Sequence, residues 1–484
     1  MSLLSDKYWK NLKDAQEDLR TKVKQDYWRL HFHQMPETGW LNDPNGACQV
    51  DGVYHLYHQY IPNSPSSGTP HWAHKTSKDL VHFKEEEIFL SPEHDYEKDG
   101  VYSGSAFVKD GEIHYFYTGN VKNEGPFDYI YDGREQNTVH AVSKDGFTID
   151  YQKVVIPHEK YPEQYSDHIR DPKVFERNGK YYMILGARTV NHQGEVLLYV
   201  SDDLYEWEYK GAFFGDEPDL GFMWECPDYF ELDGRSVLIL SPQGLSKQET
   251  RNQNVYQSGF YIGDISKEDV RFEAETPFEE LDYGFDFYAP QSFTDEQGRQ
   301  ILWGWMGIGD IKPEYANPTV HFGWQHCLTL PRQLTIENNQ LKQRPIMEYQ
   351  KLREDEITKI VDTDGETNYP DIDFEVAEMI LNFEEIDDNF EMHVREDTVI
   401  KLEKGILSLI HGKSGSGRSV RKVEVGQLTQ LHIFSDTSSL ELFINDGSHV
   451  MSSRVYPKKG QGSVTFKGNQ TFEMKKWNLN RTTE

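Results

Sequence analysis

Three carboxylates stand at nearly matched places along this chain. Asp43 lies nine residues before Gly52, Asp171 eight before Gly179, and Glu225 nine before Gly234. Carboxylates gathered in a partly desolvated pocket cannot all ionise, so at least one is pushed up in pKa and keeps its proton. Two carboxyl groups of unequal acidity are what cleavage of a glycosidic bond uses. One attacks the anomeric carbon as the anion, and the other protonates the leaving oxygen. A third can hold substrate hydroxyls. Taken singly, Asp-Pro-Asn-Gly at 43 and Arg-Asp-Pro at 170 also read as turns. Glu225, between Trp224 and Cys226, is less easily read that way, because an unpaired Glu in an apolar setting is costly.

The elements that must bring these residues together are visible as a repeat. Five segments share a small or Pro-containing start, a short apolar strand, a turn with Gly, and an aromatic-rich strand. They begin at Asn42, Tyr102, Arg170, Glu225 and Tyr288. Their turn glycines, Gly52, Gly111, Gly179, Gly234 and Gly298, are spaced by 59, 68, 55 and 64 residues. A repeat of that length with about four strands is a propeller blade, so the chain reads as all-β, a five-bladed β-propeller. Ser103 and Ala289 occupy the carboxylate's place in the second and fifth repeats. If that strand is innermost in each blade, the carboxylates of the first, third and fourth blades converge at one end of the central channel. The segments SKDLVHF at 77, SKDGFTI at 143 and SDDLYEW at 201 predict outer hairpins in the first three blades.

Around the repeat, residues 1–30 read as an N-terminal helical segment, with apolar Leu4, Tyr8, Leu12, Ala15, Leu19 and Val23 at helical spacing. The propeller is expected over 31–338. Residues 339–484 form short alternating strands suited to a β-sandwich, with the stretch from Leu330 to Tyr349 as the connection. The formal net charge of −31 argues against nucleic acid or an anionic membrane as a partner. Three cysteines, no apolar leader and no span-length apolar run point to a cytoplasmic protein.

The motifs FHQMPETGWLNDPNG, YSGS, RDPKV, WECPD, FYAPQ and HCLTLPRQL together resemble glycoside hydrolase family 32, the invertase and sucrose-6-phosphate hydrolase family. The resemblance covers nearly all of the chain after residue 30, and Tyr102 stands where the family often has Phe. It implies a five-bladed propeller followed by a β-sandwich, with Asp43 as nucleophile in a retaining mechanism. Glu225 would be general acid and then base, and Asp171 would bind the fructose 3- and 4-hydroxyls. Substrate contacts would come from Trp40, Leu41, Asn42, Gln59, Trp72, Tyr102, Ser103, Arg170 and Trp305. No metal or other cofactor is implied. Packing inside a blade is the alternative role for Trp40, Trp72 and Trp305.

The substrates so implied are sucrose 6-phosphate, sucrose and short fructo-oligosaccharides. A phosphate would need local basic residues working against the overall charge. Arg134, Arg188, Lys75 and His168 are candidates, and nothing in the sequence chooses among them. The histidine pairs His31/His33, His55/His58 and His71/His74 have spacings that suit metal ligands, but structural or hydroxyl-binding roles fit better, because no carboxylate or Cys completes a set. A fructosyltransferase on the same site, or a fructoside-binding propeller without catalysis, are the competing functions.

Overall fold

The turns set the register of the whole molecule. In a computed structural model describing residues 4–266, 269–311, 315–370, 372–384, 386 and 389–482, Asp51 and Gly52 take φ of 51° and 74°. Asp110-Gly111, Asn178-Gly179 and Asp233-Gly234 repeat this conformation. Two successive residues with positive φ make the type I′ turn whose twist matches antiparallel strands. The fifth repeat closes differently. Its strands meet at Thr294 and Gln300, and Asp295 holds the wider loop by accepting from the N–H groups of Gln297 and Arg299.

Each hairpin grows into an antiparallel blade. The innermost strands are Gly39–Val50, Val101–Lys109, Tyr165–Arg177, Met223–Leu232 and Tyr288–Thr294. Each packs against the next, and the fifth packs against the first, so the ring is closed. Trp324–Gln325 adds a parallel strand to Gly39–Trp40 and ties the late chain to the first blade. The SKDL, SKDG and SDDL segments form matching outer turns in blades 1 to 3. Asp79, Asp145 and Asp203 each accept two backbone N–H groups from the residues that follow.

Helix α1, Asp6–Val23, is capped by Ser5, which accepts from the Tyr8 N–H. It lies on blade 1, where the Tyr8 hydroxyl meets His71 Nε2 at 2.7 Å and Gln16 donates to Tyr60. The stretch expected to connect the domains is instead the outer hairpin of blade 5. Arg332–Glu337 pairs with Gln340–Pro345 across an Asn338-Asn339 turn, so the propeller runs on past 338.

The second domain is built around one long strand, Val464–Leu479. It pairs with Arg353–Tyr369 on one edge and with Ala377–Asn382 and Glu391–Val394 on the other. The two halves of the sheet fold over a shared apolar core that includes Met379, Met392, Leu409 and Leu442. The result is a nearly closed β-sandwich. Its face against the propeller holds fully buried ion pairs: Arg332 with Asp282 and Glu441, and Arg418 with Asp286. His33 there bridges Asp436 and Glu441 at 2.9 and 3.0 Å.

Candidate active site

Every innermost strand carries a one-residue bulge at the same end. The register slips between Leu41 and Pro44, Val101 and Gly104, Arg170 and Lys173, Glu225 and Asp228, and Tyr288 and Gln291. A bulge turns side chains that would alternate across the strand toward one side. A small axial cavity is lined from all five blades, by Pro44, Ser103, Asp171, Cys226 and Ala289 among others. The carboxylates do converge, but not from one register position as the count from the glycines suggests. Asp43 is the second residue of its bulge, Asp171 the first of its own, and Glu225 immediately precedes its bulge. The extra bulge at Asn45–Cys48 in blade 1 disguises this stepping.

Each carboxylate has its own set of partners. Asp43 accepts from the Ser103 hydroxyl at 2.5 Å and from the Asn42 amide at 3.1 Å. Trp40 Nε1 donates to Asn42 Oδ1 at 2.9 Å, which orients that amide. Asp171 accepts from the Cys226 N–H at 2.9 Å, and the Cys226 sulfur lies 3.5 Å from Asp171 and 3.9 Å from Asp43. Glu225 is gripped more firmly. Arg170 reaches Oε1 through Nε and a terminal nitrogen at 3.0 and 2.7 Å. Tyr288 and Gln243 each donate to Oε2 at 2.6 Å.

The electrostatics follow from these partners. Burial lifts Asp43 to about 6 against the lowering by Ser103 and Asn42, and the charge of Glu225 adds to the rise. Burial also lifts Asp171 to about 7; Arg170 opposes this, and Glu225 reinforces it. Burial pushes Glu225 the same way, but the Arg170 guanidinium and the bonds from Tyr288, Arg170 and Gln243 outweigh it and hold the carboxyl below its ordinary value. Glu225 is therefore the most acidic of the three, and Asp171 and Asp43 hold a proton more readily.

The expected contacts divide into three groups. Asn42, Ser103 and Arg170 bond the carboxylates directly, Trp40 reaches them through Asn42, and Tyr102 lies where Arg134 and Arg170 act on its hydroxyl. Trp305, 4% exposed, backs Trp40 at a ring distance of 5.9 Å, and its indole N–H has no partner among the described residues. Leu41 and Trp72 are corrections: both are 0% exposed, and each is enclosed by its blade, so neither side chain presents a surface to a ligand. Trp72 instead donates to the Tyr102 carbonyl at 3.1 Å and supports the strand behind Ser103. Gln59 does the same one residue earlier, donating to the Val101 carbonyl.

Tyr288 and Gln243 escaped the sequence reading. Tyr288 occupies the register of Arg170 and Glu225 in the fifth blade, so alignment by bulge would have found it. Gln243 lies on the neighbouring strand, opposite Met223, where no count along one strand reaches. The histidines serve the fold. His55 bonds His74 at 3.0 Å, His58 meets the Gln59 carbonyl, and His33 joins the domain interface.

A closed five-bladed propeller with acidic side chains gathered at one end of its axis defines a glycosidase of the propeller class. The chain matches the Glycosyl hydrolases family 32 N-terminal domain over residues 33–345 and the family 32 C-terminal domain over 348–480. It belongs to that family and is a glycoside hydrolase. The chain is 40% identical over 475 residues to the sucrose-6-phosphate hydrolase of Bacillus subtilis, covering 95% of this chain and 96% of that one. It is 35% identical to a raffinose invertase of Escherichia coli, covering 89% and 90%. Among solved structures, a sucrose-6-phosphate hydrolase from Lactobacillus gasseri superposes with a TM-score of 0.88 at 29% identity, covering 97% of each chain. A family 32 β-fructofuranosidase of Bombyx mori superposes at 0.83 with 30% identity, covering 99% and 100%.

Proposed function

We propose that the chain hydrolyses terminal non-reducing β-D-fructofuranosides, with sucrose 6-phosphate and sucrose as substrates, and retains the anomeric configuration. The gathering of Asp43, Asp171 and Glu225 from three separate blades carries this reading: the Cys226 sulfur lies by both Asp43 and Asp171, and the charge of Glu225 acts on both. An Asp43 oxygen attacks the anomeric carbon while the bond to the leaving sugar's oxygen breaks. Glu225 gives that oxygen its proton, leaving a fructosyl ester on Asp43. Glu225 then takes a proton from water, whose oxygen attacks the anomeric carbon as its bond to the Asp43 oxygen breaks, freeing fructose and the Asp43 carboxylate. Asp171 holds ring hydroxyls and stabilises the cationic transition state. The free thiols Cys48, Cys226 and Cys327 support a cytoplasmic setting.

This chemistry needs the proton on Glu225, yet the protein's own groups favour it on Asp171 and Asp43. The three carboxyls titrate as a group, so the proton moves when their partners change. Sugar hydroxyls donating to Asp171 and Asp43 favour the anions there. Their competition for Arg170 loosens its hold on Glu225, which then rises and becomes protonated.

Asp43→Ala tests the assignment. Turnover of sucrose should fall by roughly 10³-fold or more, as for loss of a covalent nucleophile, with sugar binding retained in calorimetry. Fructose released by the native enzyme should appear first as the β-anomer by NMR. Inversion, or a native protein inert on every fructoside, overturns the proposal.

A further inference from the structure

The chain has 81 acidic residues against 50 Lys and Arg, so an arginine without a carboxylate partner stands out. Two such arginines flank Arg170. Arg134 opens the third strand of blade 2, Arg134–Ser143, and Arg188 lies near the end of the second strand of blade 3, Lys180–Thr189. Among the described residues neither makes an ion pair, and each has a buried Nε without a partner. Arg188 meets His192 Nδ1 at 2.6 Å, and its guanidinium lies over the Phe222 ring at 4.7 Å. Lys122 adds a third cation without an ion pair among the described residues, 5.9 Å from the Tyr129 ring.

The acidic groups nearby are committed elsewhere. Glu225 is held by Arg170, Tyr288 and Gln243. Asp167 pairs with His158 at 3.3 Å, Asp128 accepts the N–H groups of Ile130 and Tyr131, and Asp99 accepts that of Lys122. His168 sits among Arg170, Arg134 and Arg188 with both ring nitrogens used. One takes a bond from Arg170 and the other meets the Tyr129 carbonyl. Lys75 is buried against Glu85 and the Met35 carbonyl, so it offers nothing to a ligand.

We propose that Arg134 and Arg188, with Lys122 beside them, form an anion pocket next to Glu225 that takes a phosphate monoester on the departing sugar. This deepens the fructoside hydrolysis proposed above and rests on it. Partly buried like charges held together without counter-ions repel, and a dianion offsets both that repulsion and the desolvation. Guanidinium groups match phosphate oxygens in pairs, which a neutral sugar hydroxyl cannot reproduce. The pocket adjoins Glu225, the group that protonates the leaving oxygen, so the phosphate belongs to the leaving sugar and not to the fructosyl unit.

The test compares Arg134→Gln, Arg188→Gln and Arg134→Lys with the native enzyme. Glucose 6-phosphate and glucose are titrated by calorimetry, and kcat/KM is measured on sucrose 6-phosphate and on sucrose. For each Gln variant we expect about 10- to 100-fold losses in glucose 6-phosphate affinity and in kcat/KM for the phosphorylated substrate. Sucrose turnover should change by less than about 3-fold, with partial recovery in Arg134→Lys. Equal losses on both substrates, or a native protein that binds glucose 6-phosphate no better than glucose, overturn the pocket. Tight binding of glucose 6-phosphate through these arginines in a protein inert on every fructoside would keep the pocket and remove the hydrolase reading.

Discussion

Glu225 shows how far a carboxyl's behaviour depends on what donates to it. Tyr288 bonds Oε2 at 2.6 Å and favours the anion. Tyr288→Phe removes that preference, so the carboxyl rises. The sign follows from the two roles. Activity falls at low pH as Asp43 takes a proton and stops attacking. It falls at high pH as Glu225 loses the proton it must donate. In Tyr288→Phe the alkaline limb of kcat, set by Glu225 in the substrate complex, should therefore move to higher pH while the acid limb stays, as a pH–rate profile at saturating substrate will record. An unmoved alkaline limb would mean that another group supplies the proton. At this scale the sequence was generous with charged residues and silent about Tyr288, a neutral donor whose role depends entirely on register.

The strands carry the next layer of information. Their repeat was readable because type I′ turns favour Asp-Gly or Asn-Gly and so mark four of the five blades. The stepping of the carboxylates was hidden, because a bulge inserts a residue without changing composition. Leu41 and Trp72 were misplaced for a related reason. Nearness to a motif does not say which face of the strand a side chain takes. Asn338-Asn339 has the chemistry of a hairpin turn yet sits in a stretch polar enough to read as a connector. Two glycines separate turn geometry from packing. A Cβ on Gly52 would meet nothing within 4 Å, but φ there is 74°. Gly52→Ala should thus cost about 1 kcal/mol in denaturant unfolding with kcat unchanged. A Cβ on Gly186 would stand 2.1 Å from the carbonyl oxygen of Trp224, the residue before Glu225. Gly186→Ala should cost about 1–3 kcal/mol and also lower kcat, because the strand bearing the acid must shift.

Across the whole molecule, the two domains share a buried ionic seam that no single-sequence reading could have found, since its partners lie from 50 to 408 residues apart. Burial alone would lower the His33 pKa, but its bonds to Asp436 and Glu441 raise it above the ordinary value. The stabilisation is complete below the ordinary histidine value and is lost as pH rises through the raised one. Asp436, despite its burial, is held at about 2 by His33, so its share is lost only as pH falls toward that value. Removing one partner from such a buried set typically costs about 3–5 kcal/mol. His33→Gln should thus destabilise the protein strongly at pH 6 and less at pH 9, measured by thermal unfolding. Native calorimetry should show one transition, since neither domain can leave without stranding charges. Two separate transitions would show the seam to be weak.

The pairing of Trp324–Gln325 with Gly39–Trp40 has a consequence for how the protein is born. A ribosome releases the first blade long before it releases the segment that clasps it. Trp40, whose indole steadies the amide beside Asp43, stays without that clasp until the end of the fifth repeat has left the exit tunnel. Assembly of the pocket is therefore a late event in synthesis, and a nascent chain halted before Trp324 carries all three carboxylates without the clasp on the strand of Trp40 and Asp43.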